Sequence, residues 1–306
     1  MNIVENESLA KYTSFKIGGP AKYFTKVKNE KDLLKALAFA KEKGISFFVL
    51  GEGTNLLIDD KGLNKLIVKI DFSDFNILGN NVVAGAGCKL ISLIFKASEA
   101  GLTGMEELAG IPGSVGGAIW ANAGAFRKDI SMFIKKVKVL RGNDIIELSK
   151  EDCGFSYRNS IFKDKDNNDI IISAEFELEK GDINSSKEKI KQILDKRTCS
   201  QPLSYPSAGC FFQNYKIKEN ETFAQEILPE FLEKQVIPAA WLIEQSGLKG
   251  FTTGGAQVSD IHANFIINRN NATFSDVLNI AREVENKVFE KFKIKLEKEV
   301  KVMTDG

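Results

Sequence analysis

One cysteine stands where its thiol could take part in chemistry. Cys210 follows Gly209 and precedes two phenylalanines in the segment PSAGCFFQN, residues 206–214. A tight turn at the glycine would present the thiol to a cleft, where it could act as a general acid. The alternative is a small buried hydrophobic residue, which is the usual environment of a free cysteine.

Two glycine-rich segments could bind an anion. GEGTNLLI, residues 51–58, follows an apolar strand, and AGIPGSVGGAIWANAGAF, residues 109–126, contains five glycines. Closely spaced glycines let backbone N–H groups approach an anion, so both segments could cradle a pyrophosphate. Neither segment has the spacing of a Walker or Rossmann motif. Tight turns between packed elements remain the alternative.

Two charged residues could stabilise a carboxylate or phosphate. Arg158 lies between a tyrosine and an asparagine in GFSYRNSIFK, residues 154–163, and its planar guanidinium suits bidentate binding of either group. Glu299 lies on the polar face of an alternating segment near the C-terminus. The alternatives are an exposed loop arginine and a glutamate that faces solvent.

Composition excludes several classes of protein. The chain has 306 residues, 43% of them hydrophobic, which fits two domains. Its 42 basic and 41 acidic residues give a net charge of +1, so we expect no binding to nucleic acid. No apolar run approaches the roughly 20 residues of a membrane span, and the first residues lack a signal-peptide pattern. We expect a cytoplasmic protein without membrane association.

The cysteines and histidine argue against structural cross-links. Four cysteines are widely spaced without a CxxC pair, and His262 is the only histidine. This pattern predicts neither a disulfide framework nor a metal site.

The elements that must position these residues follow from periodicity and capping signals. Residues 30–43 form an amphipathic helix with Asn29 as its N-cap, and residues 90–97 begin a second helix. Between 130 and 180 the pattern changes to strands, with a hairpin at residues 142–143.

A helix over residues 185–197, with a capping box in Ser185 and Glu188, marks the start of a second domain. It is followed by a short helix between Pro238 and Gly247, a long helix over 275–292 and a closing strand over 294–302. We predict domains over 1–184 and 185–306, the first divided near residue 72.

Seven ordered segments together resemble one family. They are TSFKIGGPAKYF (13–24), VLGEGTNLLI (49–58), AGIPGSVGGAIWANAGA (109–125), SYRNSIF (156–162), QPLSYPSAGCFFQN (201–214), AAWLIEQSGLKGFTTGGAQVSDIHANFIIN (239–268) and LEKEVKVM (296–303). In this order they resemble the UDP-N-acetylenolpyruvoylglucosamine reductases, in the shorter of the two types of that family.

The resemblance implies an α+β fold. The expected architecture is a two-subdomain FAD-binding module of the vanillyl-alcohol-oxidase (PCMH) type, followed by a C-terminal α+β substrate-binding domain. It also implies a cytoplasmic, monomeric flavoenzyme of peptidoglycan synthesis, with non-covalent FAD and NADPH as reductant. Its reaction would convert UDP-N-acetylglucosamine enolpyruvate to UDP-N-acetylmuramate. His262 lies far from the glycine-rich segments in sequence, which argues against a histidyl-flavin link.

The resemblance also assigns roles to residues. Arg158 and Glu299 would polarise the substrate carboxylate, and Cys210 would donate a proton. The expected FAD-binding residues are Gly51, Glu52, Gly53, Thr54, Asn55, Leu56, Gly110, Ile111, Pro112, Gly113, Ser114, Gly116, Gly117, Asn122, Gly124 and Ala125. The expected substrate-binding residues are Tyr157, Gln213, Asn214, Glu244 and Gln245.

The chain departs from the family at its proton donor, because Cys210 occupies a position that is normally serine. The unperturbed pKa of a thiol, about 8.5, is far below that of an alcohol, so a thiol is the stronger acid. Apolar neighbours favour the thiol and a nearby arginine favours the thiolate, and the sequence leaves this balance open. Two rival functions are another flavin oxidase or dehydrogenase of this fold and a flavin-binding module without catalysis.

Overall fold

The structure is a computed structural model that describes residues 1–164, 166–218, 221–223 and 227–305. The chain forms two compact units. The first contains Met1–Glu7, Ala21–Glu52 and Asn64–Arg197, and the second contains Ser8–Pro20, Gly53–Leu63 and Thr198–Gly306. The domain limits of 1–184 and 185–306 stay a prediction. Two early segments, Ser8–Pro20 and Gly53–Leu63, belong to the same compact unit as the C-terminal part.

The secondary structure mixes strands and helices throughout. The strands are, in chain order, β1 (Ile3–Ser8), β2 (Pro20–Val27), β3 (Phe47–Leu50), β4 (Leu56–Ile58), β5 (Leu63–Ile70), β6 (Phe75–Leu78), β7 (Asn81–Gly85), β8 (Leu102–Thr103), β9 (Gly124–Ala125), β10 (Lys128–Asp129), β11 (Ile134–Arg141), β12 (Asp144–Ser149), β13 (Ile170–Glu177), β14 (Glu179–Lys180), β15 (Ser207–Cys210), β16 (Tyr215–Lys216), β17 (Val236–Ile237), β18 (Thr252–Thr253), β19 (Ala256–Val258), β20 (Phe265–Asn268) and β21 (Lys301–Met303). The helices are α1 (Glu30–Glu42), α2 (Leu90–Glu99), α3 (Val115–Ala121), α4 (Ile183–Ser200), α5 (Pro229–Glu233), α6 (Ala239–Gln245) and α7 (Phe274–Phe292).

The first unit contains two larger sheets. One has the strand order β1-β2-β5-β3, with β3 and β5 parallel. The other is antiparallel, with the order β12-β11-β13-β7-β6. The hairpin between β11 and β12 turns at residues 142–143, as predicted. Helix α1 begins after Asn29, whose side chain accepts a hydrogen bond from the Asp32 N–H at 2.9 Å, which confirms the predicted N-cap.

Helix α3 begins inside the second glycine-rich segment. Ser114 is its N-cap, and its Oγ accepts a hydrogen bond from the Gly117 N–H at 3.2 Å. Gly116 and Gly117 have poor helix propensity, but the backbone needs a glycine at 116. A Cβ atom there would lie 2.9 Å from the Ala86 Cβ, so a larger residue would push the helix away from the end of β7.

The second unit is built around an antiparallel sheet with the strand order β15-β20-β19-β18. Strand β21 pairs in parallel with β4, so an N-terminal segment contributes to this unit. Helix α7 has an apolar face whose residues are buried from Phe274 to Phe292. Its capping box joins Thr273 and Asp276, with hydrogen bonds between each side chain and the backbone of the other.

Two predicted boundaries need correction. Helix α4 begins at Ile183, two residues before the predicted start, and its first turn is capped by Asp182, whose carboxylate accepts a hydrogen bond from the Ser185 N–H at 2.7 Å. The predicted capping box of Ser185 and Glu188 is therefore wrong, because Ser185 lies inside the helix. The predicted closing strand over 294–302 is regular only from Lys301 to Met303. Its burial still alternates at Ile294 and Leu296, which are buried beside exposed lysines.

The predicted α+β class is confirmed by this mixture of sheets and helices. Each unit has its own cluster of buried apolar residues. None of the helices formed by the described residues has both the length and the apolar character needed to cross a membrane.

Candidate active site

The first glycine-rich segment is held by a lysine that the sequence did not single out. In the first unit, Lys69 on β5 donates a hydrogen bond to the Gly51 carbonyl at 2.7 Å and pairs with the Glu52 carboxylate. Only 13% of the Lys69 side chain is exposed. This contact fixes the backbone at the start of the segment and neutralises its one acidic residue.

The two glycine-rich segments meet in the first unit. A Cβ atom added to Gly51 would lie 2.6 Å from the Ser114 Oγ, so the backbone at 51 lies directly against the start of α3. The N–H groups of Ile111, Val115 and Gly116 donate to backbone carbonyls of the same unit. These three N–H groups are therefore already used within the fold, and the predicted anion cradle would have to use other N–H groups of the two segments.

Arg158 is at the tip of a tight turn in the first unit. Ser156 and Asn159 exchange backbone hydrogen bonds of 3.0 Å, which close a two-residue turn formed by Tyr157 and Arg158. Arg158 adopts a positive φ of 55°, which is uncommon for a residue other than glycine. Its Nη2 donates to the Gly124 carbonyl at 2.8 Å.

The arginine turn is attached to the second glycine-rich segment. Asn122 ends α3 in a left-handed conformation, and it is 2% exposed. Its side chain donates to the Ser156 carbonyl at 2.8 Å and accepts from the Ser131 N–H at 3.3 Å. Asn122 and Gly124, both predicted to bind FAD, therefore have structural partners at the base of the arginine turn.

Cys210 and Glu299 are brought together in the second unit. Cys210 is the last residue of β15, is half-buried, and is paired in register with Phe265 of β20. The Glu299 N–H donates to the Phe211 carbonyl at 2.8 Å. The carbonyl of Glu299 in turn accepts from the Asn55 side chain at 3.0 Å. Three residues predicted from separate motifs thus share one hydrogen-bonded region.

The glycine at 53 is required by a close approach in this unit. Gly53 has a φ of +63°, and a Cβ there would lie 2.0 Å from the Tyr12 carbonyl oxygen. Its own carbonyl accepts a hydrogen bond from the Ser14 N–H at 3.1 Å. The first glycine-rich segment is therefore packed tightly against residues 12–14 at Gly53.

Several predicted substrate-binding residues have partners within the second unit. The Asn214 Oδ1 accepts a hydrogen bond from the Ala239 N–H at 3.1 Å, at the start of α6. Glu244 forms an ion pair with Lys249, and the Gln245 carbonyl accepts a hydrogen bond from a lysine of α7. The Gln213 N–H donates to the backbone of residue 297. Their substrate contacts stay a prediction.

A buried asparagine beside Cys210 was not predicted. Asn264 is 3% exposed, and its side chain makes two hydrogen bonds to the backbone of Phe212. Its own N–H donates to the Nδ1 of His262 at 3.3 Å. Burial lowers the pKa of His262, which favours the neutral ring that can accept this bond. The sequence gives no local signal for the two bonds to Phe212, because they join residues 52 positions apart.

A cavity of about 430 Å³ lies elsewhere in the second unit. It is lined by Lys16, Tyr205 and the turn at residues 268–272, and it contains none of the predicted site residues. Among the residues that the structure describes, no group of histidine, cysteine or acidic side chains could hold a metal ion.

Comparisons with known proteins match both parts of the chain. A family model described as UDP-N-acetylenolpyruvoylglucosamine reductase, C-terminal domain, matches residues 201–303, and one described as FAD binding domain matches residues 21–148. The chain is 38% identical over 300 residues to the UDP-N-acetylenolpyruvoylglucosamine reductase of Caldanaerobacter subterraneus subsp. tengcongensis, covering 97% of this chain and 92% of that protein. It is 39% identical over 305 residues to that of Carboxydothermus hydrogenoformans, covering 98% and 94%.

A solved structure gives the same result. The crystal structure of UDP-N-acetylenolpyruvylglucosamine reductase from Thermus caldophilus matches this chain with a TM-score of 0.80 and 29% identity, covering 99% of this chain and 98% of that one. The chain therefore belongs to the UDP-N-acetylenolpyruvoylglucosamine reductase family, and it is an oxidoreductase with an FAD-binding domain.

Proposed function

We propose that this chain reduces UDP-N-acetylglucosamine enolpyruvate to UDP-N-acetylmuramate, with FAD as bound cofactor, NADPH as reductant and Cys210 as proton donor. One observation carries the proposal. The hydrogen bond from the Glu299 N–H to the Phe211 carbonyl, 2.8 Å long, joins the segment of the proton donor to that of the glutamate. The substrate is proposed from the names of the relatives, and the reductant is proposed from the family resemblance.

The residues of the glycine-rich segments fit a flavin diphosphate. Residues 109–126 carry no charged side chain, and Glu52 is the one acidic residue of residues 51–58. Because Lys69 is paired with that carboxylate, a diphosphate would meet backbone dipoles and no uncompensated negative charge. The absence of a side chain at Gly51 lets the first segment lie against the Ser114 side chain of the second, so both could bind the same anion.

The reaction requires stabilisation of negative charge and delivery of a proton. When bound and reduced by NADPH, FAD would supply the two electrons that reduce the enolpyruvyl double bond. Addition of a hydride at the terminal CH2 of the enolpyruvyl group would leave negative charge on the carbon beside the carboxylate and on the carboxylate itself. Arg158 would bind that carboxylate through its planar guanidinium, and Glu299 would help to polarise it.

The thiol of Cys210 would then protonate the carbon beside the carboxylate. Its S–H bond breaks as the new C–H bond forms, and the thiolate that remains takes a proton from solvent before the next turnover. A thiol is a stronger acid than the serine hydroxyl found in the family, so the replacement preserves the chemistry. A positioned general acid contributes about 10²–10⁴-fold to the rate of such a step.

Variants of Cys210 test this proposal. Cys210→Ser should keep substantial turnover, because serine also carries a transferable proton. Cys210→Ala should slow the oxidative half-reaction by about 10²–10⁴-fold and leave flavin reduction by NADPH unchanged. Cys199→Ala serves as the matched control, because that cysteine is exposed and matches no catalytic position. Equal turnover of the wild type and Cys210→Ala would contradict the proposal.

The remaining features of the proposed enzyme are a monomeric state, a cytoplasmic location and substrate contacts from five residues. These residues are Tyr157, Gln213, Asn214, Glu244 and Gln245. Tyr157 is 40% exposed beside Arg158 in the same turn, which leaves its ring accessible to a ligand. Substitution of Tyr157 by alanine should raise the KM for the UDP-sugar more than it lowers kcat.

A further inference from the structure

We propose that Asn264 is a positioning residue for both Cys210 and Glu299. The inference rests on the proposed function for the roles of those two residues. Its structural basis is a set of hydrogen bonds within the second unit that holds residues 211–213 from two sides. Asn264 itself lies one residue before β20 and does not need to touch the substrate.

The first side of this arrangement is formed by Asn264 alone. Its backbone carbonyl accepts a hydrogen bond from the Phe211 N–H at 2.7 Å. Its side-chain Oδ1 accepts from the Phe212 N–H at 2.9 Å, and its Nδ2 donates to the Phe212 carbonyl at 2.8 Å. An asparagine side chain has the donor and acceptor of a peptide group, so it extends the pairing of β15 with β20 by one residue.

The second side is formed by the C-terminal segment. The Phe211 carbonyl accepts from the Glu299 N–H at 2.8 Å, and the Gln213 N–H donates to the Glu297 carbonyl at 2.8 Å. Phe212 forms a bridge with Lys298 between these two bonds. Residues 211–213 therefore lie between Asn264 on one edge and residues 297–299 on the other.

This arrangement links the position of Asn264 to both proposed catalytic groups. Cys210 directly precedes the held residues, and Glu299 is hydrogen-bonded to the first of them. A shift of the Phe212 backbone would therefore displace the thiol and the carboxylate together. Displacement of a reacting group by about 1 Å can cost about 100-fold in rate.

The burial of Asn264 explains why this role needs an amide. Asn264 is 3% exposed, and Phe211 and Phe212 are each 1% exposed, so solvent cannot replace a lost partner at no cost. A buried backbone group without a partner is unfavourable, and the segment would be expected to shift until it finds one. Alanine at 264 removes both side-chain bonds to Phe212 and leaves the backbone bond to Phe211.

Asn268 provides a matched control on the same β-strand region. Its Nδ2 donates to the Phe15 carbonyl at 3.1 Å, and its Oδ1 accepts from the Ala272 N–H at 2.8 Å. It therefore also makes two side-chain bonds to backbone groups within the second unit. Neither bond involves residues 210–213 or 297–299.

The experiment compares Asn264→Ala with Asn268→Ala in two measurements. The first is the alkylation rate of Cys210 by iodoacetamide, resolved by peptide mass spectrometry, with exposed Cys199 as internal reference. Asn264→Ala should change the Cys210 rate by at least about threefold and leave the Cys199 rate unchanged. Asn268→Ala should leave both rates within about twofold. Equal effects of the two variants on Cys210 would overturn the proposal.

The second measurement compares the rates of the two half-reactions, flavin reduction by NADPH and flavin reoxidation by the substrate. Asn264→Ala should slow the oxidative half-reaction by about 10–100-fold, with flavin reduction by NADPH unchanged. If Cys210→Ala turns over like the wild type, the proposed proton donor fails, but the alkylation comparison still decides the role of Asn264. An unchanged Cys210 alkylation rate in Asn264→Ala would overturn the positioning role whatever the function.

A second variant covers the case in which Asn264→Ala does not fold. Asn264→Asp keeps the acceptor for the Phe212 N–H, and its protonated form can also donate to the Phe212 carbonyl. The Cys210 alkylation profile of this variant should therefore approach that of the wild type as the pH falls and depart from it as the pH rises. His262 contacts the same residue and also titrates, so wild type measured over the same pH range is the control. Parallel profiles in the two proteins would count against the proposal.

Discussion

Replacement of Lys69 by methionine should weaken FAD binding. The Lys69 Nζ donates to the Gly51 carbonyl at 2.7 Å and pairs with the Glu52 carboxylate, and 13% of its side chain is exposed. Hydrogen bonds that involve a charged group contribute about 1.5–3 kcal/mol. Because methionine keeps the apolar stem, the loss is confined to these polar contacts. If this free energy is lost from the conformation that binds FAD, even the lower value of about 1.5 kcal/mol corresponds to an affinity for FAD that is about tenfold weaker.

The assay is fluorescence titration of the apoprotein with FAD. Lys138→Met is the control, because Lys138 pairs with Glu30 at 2.9 Å in the same unit and both side chains are more than a third exposed. Such exposed pairs contribute about 0–1 kcal/mol, so this variant should bind FAD like the wild type. Adding Glu52→Gln to Lys69→Met should restore part of the affinity, since no uncompensated carboxylate then remains. Unchanged FAD affinity in Lys69→Met would refute the reasoning.

Three further predictions follow from other contacts. Mild peroxide should inactivate the wild type and spare Cys210→Ser, because only the thiol forms a sulfenic acid; equal loss of activity would place the sensitive group elsewhere. Gly79→Ala should lower the free energy of unfolding by about 1–2 kcal/mol in urea denaturation. Gly53→Ala should lower it more at the same φ of +63°, because a Cβ at 53 lies 2.0 Å from a carbonyl oxygen and nothing lies within 4 Å at 79. The lowered pKa of His262 means that its stabilising contribution is present above about pH 6.5 and lost as the pH falls, so His262→Gln should flatten this dependence in unfolding measurements.

Local signals were sufficient for the elements whose ends are set by neighbouring residues. Helix α1 begins after Asn29, and α7 begins within one residue of its predicted start, because caps and apolar periodicity act over a few positions. Helix α3 was missed because Gly116 and Gly117 disfavour helix, and the need for glycine at 116 comes from Ala86, which is distant in sequence.

The same distinction holds for the candidate site. The sequence singled out Arg158, Cys210 and Glu299 by residue type and motif, and their catalytic roles stay a prediction. The contacts of Lys69 and Asn264 could not be predicted, because each side chain bonds to backbone groups that are distant in sequence. Long-range pairing also decides how short β21 is, because only Lys301–Met303 pairs with β4.

The most direct test of the proposed reductase is an anaerobic stopped-flow experiment on the purified protein with bound FAD. NADPH is added first to reduce the flavin, and UDP-N-acetylglucosamine enolpyruvate is then mixed in while the flavin absorbance is followed. We expect rapid reoxidation of the flavin with UDP-N-acetylmuramate as product. A flavin that NADPH reduces and this substrate does not reoxidise would contradict the proposed reaction.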